Sequence, residues 1–82
     1  MMPTTIEFSI PQHTMLSEGE FALMDAIANI TTMLTNMNYV YKTDWELQSS
    51  YYGHDGDRIV SIKFFNATDA MLATLRGLKQ NG

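Results

Sequence analysis

From Thr4 to Ile10 polar and apolar residues alternate, which places Ile6, Phe8 and Ile10 on one side of a half-buried strand. Pro11 ends it, because proline has no N–H to give to a ladder. A helical period follows. Ser17 with Glu20 three residues on reads as a capping box, and Leu16 is placed to staple onto Phe21. The spacing predicts a helix over Ser17 to Asn38, preceded by a loop that holds His13 and Met15. At 100° per residue, Leu23, Ile27, Ile30, Leu34 and Met37 share a narrow arc that becomes the core face, with Ala26 and Met33 at its edge.

Two strand-like runs then flank Asp55-Gly56, the signature of a two-residue type I′ hairpin turn. That turn pairs Tyr52 with Ile59, Tyr51 with Val60, Ser49 with Ile62, Leu47 with Phe64 and Trp45 with Asn66. Trp45, Leu47, Tyr51, Val60, Ile62 and Phe64 then face the core. Glu46, Gln48, Ser50, Tyr52, Ile59, Ser61, Lys63 and Phe65 face away. Tyr39 and Tyr41 share the core parity, with Lys42-Thr43-Asp44 interrupting the strand. Beyond Phe65 the period returns to helical. Asn66 or Thr68 can cap, Asp69 suits the first turn, and Met71, Leu72, Leu75 and Leu78 form the expected apolar stripe. Gly77 fits a C′ position, and residues 79–82 are expected to fray.

The order β-α-β-β-α predicts one α+β domain spanning residues 1–82. Two helices cover one face of a three-stranded antiparallel-type sheet, and a right-handed crossover leads to strand order 1-3-2. This resembles a ferredoxin-like fold lacking its last strand. The outer edge of the first strand is then left without a partner in the chain, and no lysine blunts it.

Charge sharpens the picture of the first helix. After Glu20 its only ionisable residue is Asp25, and no Lys or Arg occurs before Lys42. The chain's net charge of −4 therefore sits on the first strand and helix. Charge depletion marks interface centres, so the predicted protein-binding surface is Phe21, Met24, Asp25, Ala28, Asn29, Thr32 and Asn36, with Glu18 and Glu20 steering approach. A basic protein surface is the complement. So few cations leave nucleic acid without phosphate contacts. The aromatics of the open sheet face, Tyr52 and Phe65, lack an RNP-like sequence.

Other chemistry is sparse. With no cysteine, disulfides and thiolate metal sites are excluded, and the usage fits a reducing compartment. No run reaches the ~18 apolar residues of a membrane span, and the N-terminal residues show no signal-peptide pattern. The expectation is a cytoplasmic protein. His54, Asp55 and Asp57 form the one metal-like cluster, but a tight turn splays its members, so they read as a polar hairpin tip. There is no Gly-x-Ser-x-Gly elbow and no phosphate loop. No cofactor, metal or catalytic residue is expected. Among seven methionines, Met15, Met33, Met37 and Met71 read as core fillers, while Met24 supplies adaptable contact surface.

Ile59-Val60-Ser61-Ile62-Lys63-Phe64-Phe65 followed by Thr68-Asp69-Ala70-Met71-Leu72 resembles the strand-to-helix ending of small phage-encoded proteins, including anti-CRISPR and other anti-defence inhibitors. The likeness lies in style and covers about a quarter of the chain. It implies a stoichiometric binder of a host protein, working in the host cytoplasm. The alternative is a homo-oligomeric structural or assembly subunit, and a homodimer is compatible with both.

Overall fold

The computed structural model describes residues 3–78. It contains β1 (Thr4–Ile10), α1 (Gln12–Glu18), α2 (Glu20–Asn36), β2 (Trp45–Tyr52), β3 (Arg58–Phe64) and α3 (Ala67–Leu75). The strands form one antiparallel sheet in the order β1-β3-β2, as the pattern of elements predicts. Ile6 pairs with Ile62 and Phe8 with Val60. Their core-facing side chains join Ile10, Trp45 and Phe64 beneath Ala22, Ile30 and Leu34 of α2 and Ala70 and Ala73 of α3. Leu23, Ala26, Ile27, Met33 and Met37 complete the inner face of α2 as half-buried side chains, and Met15 is buried as expected.

Three corrections concern local structure. The long helix is two helices. Gly19 adopts φ 61° and ψ −140°, which breaks the run and makes Gly19, with no side-chain cap, the start of α2. Ser17 lies inside α1, where its hydroxyl donates to the Thr14 carbonyl at 3.3 Å, so the capping box does not form. Leu16 and Phe21 stand in solvent, 80% and 73% exposed, rather than stapling the helix start. The segment holding His13 and Met15, expected as loop, is α1 itself.

The hairpin register is the second. The loop takes three residues, not two: the Gly56 N–H donates to the Gly53 carbonyl, and Gly56 itself sits at φ 87°. This is a type I turn closed by a left-handed glycine. Tyr52 therefore pairs with Arg58, Tyr51 with Ile59 and Ser50 with Val60, one position from expectation. A bulge between Leu47 and Ser49 shifts the register again, so that Leu47 meets Ile62 and Trp45 meets Phe64. The two offsets together return Trp45 and Leu47 to the core side. Ser49, Ser50, Tyr51 and Tyr52 exchange faces. Tyr52 lies under the Arg58 guanidinium, 4.6 Å from its ring centre, while the Arg58 Nε–H donates to Ser50 Oγ at 2.7 Å.

Helix α3 is the third. Asn66 caps it, its side-chain oxygen accepting from the Thr68 N–H at 2.9 Å. Gly77 at φ 115° closes a Schellman motif in which the Leu78 N–H reaches the Ala73 carbonyl and the Gly77 N–H the Thr74 carbonyl. Leu78 is buried as predicted. The inward side, however, carries Ala70 and Ala73, while Met71, Leu72 and Leu75 point outward. Small residues let the helix approach β1 and β3 closely, and the larger side chains are left outside.

Candidate protein-binding surface

The nine residues expected to meet a partner all lie on the exposed side of the helical layer. Glu18 ends α1; Glu20, Phe21, Met24, Asp25, Ala28, Asn29, Thr32 and Asn36 run along α2 opposite Ala22, Ile30 and Leu34. Phe21 and Met24 are one turn apart on that side and stand 73% and 63% exposed. Gly19 turns the chain so that Leu16, on the last turn of α1, adds a third unshielded apolar side chain at the elbow. Glu18, Glu20 and Asp25 are interspersed with them, and no Lys or Arg occurs in α1 or α2. The elbow therefore presents an apolar knuckle in a negative field.

Sequence reasoning assigned Leu16 to a staple and missed it as surface. The readable signal was Gly19 itself, a glycine between two stretches of helical spacing.

At the hairpin tip, carboxylates hold the fold. The carboxylate of Asp57 accepts from Ser9 Oγ at 3.1 Å and from the Gln12 N–H, the first residue of α1, at 2.9 Å. Asp55 accepts from the Asp57 N–H at 3.1 Å. The hairpin tip is thus clasped to the junction of β1 and α1, and among the described residues no three His, Asp or Glu side chains converge as metal ligands. On the open sheet face the Tyr51 hydroxyl donates to the Glu7 carboxylate, which raises the Tyr51 pKa above its ordinary value; slight desolvation and the Glu7 charge act in the same direction. Thr5 and Ser61 both donate to Gln48 Oε1 there. The RNA-platform grouping of Tyr52 with Phe65 is not formed, because Tyr52 belongs to the opposite face.

Between α2 and β2 lies a cleft of about 320 Å³ lined by Ile27, Thr31, Tyr41, Trp45 and Leu47. The Tyr41 and Trp45 rings meet edge to face at 4.8 Å. The Trp45 indole N–H is buried and has no acceptor among the described residues. Among the described residues, no helix is long and apolar enough to cross a membrane. The chain matches no family model, no curated protein and no solved structure.

Proposed function

We propose that this chain is a small non-catalytic module that acts by stoichiometric binding of another protein through the elbow of α1 and α2. The observation that carries the reading is the exposure of Leu16, Phe21 and Met24 on a pair of helices that has acidic residues and no Lys or Arg. Such a knuckle fits an apolar pocket rimmed by Lys or Arg: the rim steers the approach and burial of the apolar side chains supplies affinity. The likeness to phage-encoded anti-defence proteins makes an inhibitor of a host or defence complex the leading form of this reading, with the host cytoplasm as its place of action. No cofactor or nucleic acid enters it.

The test is affinity capture from bacterial lysate, with the wild-type chain compared with Met24→Arg and Asn29→Arg. Both positions are exposed, so the variants should fold and lose the captured partner, and capture by the wild type should weaken with salt. Retention of the same partner by both variants would reject the elbow. A second reading, a homo-oligomeric assembly subunit, draws on a separate observation: among the described residues β1 has no strand neighbour on its outer edge.

A further inference from the structure

We propose that the outer edge of β1 and the outward flank of α3 form a self-complementary surface that pairs with a second copy of this chain, continuing the sheet through β1 against β1. This goes beyond the reading of the elbow and does not depend on what the elbow binds.

Two independent features meet at this edge. The first is backbone: β1 is seven residues long and, among the described residues, is paired on one side only. The second is α3. Its inner side carries Ala70 and Ala73, yet Met71 and Leu75 on the other side are 57% and 76% exposed. The helix thus carries apolar side chains on two sides, with Thr68, Asp69 and Thr74 between them, and the outer pair has nothing over it among the described residues. The two features share a single groove of about 310 Å³, in which Thr4, Thr5 and Ile6 of β1 face Met71, Thr74 and Leu75 of α3. Among the described residues, no charged side chain lines it.

The occupant that fits best is another copy, because the surface complements itself under a two-fold axis. An axis at Met71 sets Leu75 of one copy against Ala67 of the other, large against small. The two Met71 side chains meet on the axis, where an adaptable thioether is tolerant of its neighbour. An axis at Ile6 sets Glu7 against Thr5 of the second copy, so the only carboxylates of the two strands do not face one another. Ile6 and Met71 border the same groove, and the proposed dimer has one axis over it. A lone extended peptide would pair with the strand edge but bring no helix to cover Leu75.

The edge is about 24 Å long and, with the helix layer, about 15 Å tall. That gives about 350 Å² a side, under half of the ~800 Å² of a standard interface, so the dimer should be weak and dissociate in the micromolar range or above.

Sedimentation or light scattering on the full chain, from about 1 µM to about 1 mM, tests this by mass action. The weight-average mass should rise from 9.3 kDa toward twice that value. Leu75→Lys, and independently Met71→Lys, should hold the chain monomeric while leaving its circular dichroism unchanged. Met24→Arg at the elbow should dimerise like the wild type. Hydrogen exchange should show β1 amides gaining protection as concentration rises. A monomer throughout, a dimer that survives both lysine variants, or a dimer lost in Met24→Arg would each overturn the proposal. A mass increase with no added protection in β1 would overturn the strand pairing.

Discussion

Phe64 and Phe65 are neighbours in sequence with opposite fates, and truncating each to alanine separates them in one measurement. Phe64 has no exposed surface. It closes the central strand, paired with Thr4 of β1 on one side and Trp45 of β2 on the other, and the Tyr39 ring meets it edge-on at 5.7 Å. A strand bonded on both sides cannot collapse into the space an alanine would leave. Phe64→Ala should therefore cost about 4 kcal/mol, within the usual range for buried phenylalanine. Phe65 is half-buried with the Lys63 ammonium 5.4 Å from its ring centre, a contact worth about 0.5–1 kcal/mol at a surface site. A domain of this length has a total stability of about 4–12 kcal/mol, so the first change removes a large share of it and the second little. In thermal melts the expected drops are about 15–30 °C for Phe64→Ala and about 4–8 °C for Phe65→Ala. Equal drops, or a larger one at Phe65, would refute the register that places Val60, Ile62 and Phe64 inward.

Other changes probe the turn, the clasp and the open sheet face. Gly56→Ala should lose about 1–2 kcal/mol in denaturant melts, since φ is 87° and an added Cβ would meet the Gln12 side chain at 2.7 Å. Gly56→Asn should lose less from the backbone, because asparagine tolerates that conformation. Asp57→Ala should cost about 1–3 kcal/mol by freeing the Gln12 N–H and Ser9 hydroxyl it holds, and should raise hydrogen exchange at the start of α1. Because Glu7 raises the Tyr51 pKa, the contribution of their hydrogen bond is intact below the unfolded value of about 10 and is lost as pH climbs through the folded value. An ultraviolet titration should show a phenolate step displaced upward that is missing from Tyr51→Phe.

Much of the architecture was legible wherever period and punctuation agreed. The alternation of β1 between Pro3 and Pro11, the parity of Val60, Ile62 and Phe64, the Asn66 cap and Gly77 all act through neighbours a few residues away. The order 1-3-2 followed from a crossover that runs strands 1 and 2 parallel and a hairpin that lets strand 3 sit between them, antiparallel to both. Misreadings arose where two local signals competed. Ser17 and Glu20 have the spacing of a cap, but Gly19 between them was the stronger instruction, and only the docking of α1 on α2 decides between the two. Asp55-Gly56 marks a turn without stating whether His54 belongs to it. In α3, side-chain size misled: Leu72 and Leu75 were expected in the core, yet the side of the helix that packs over β1 and β3 carries Ala70 and Ala73. The charge-poor face of α2 was readable from composition. The contribution of Leu16 was masked by the capping-box reading, although Gly19 marked the bend that exposes it.

The bulge at Gln48 gives β2 one residue of slack. Removing a single residue anywhere from Gln48 to Tyr51 can be absorbed by straightening the bulge, which leaves Leu47 opposite Ile62 and Trp45 opposite Phe64. No such reserve exists in β3, which is laddered on both sides without interruption opposite β1. There, losing one residue would turn half the core outward. The chain should accordingly accept a change of length in one arm of the hairpin and not in the other, so that β2 is where descendants of this sequence could grow or shrink by one residue while keeping the same interior.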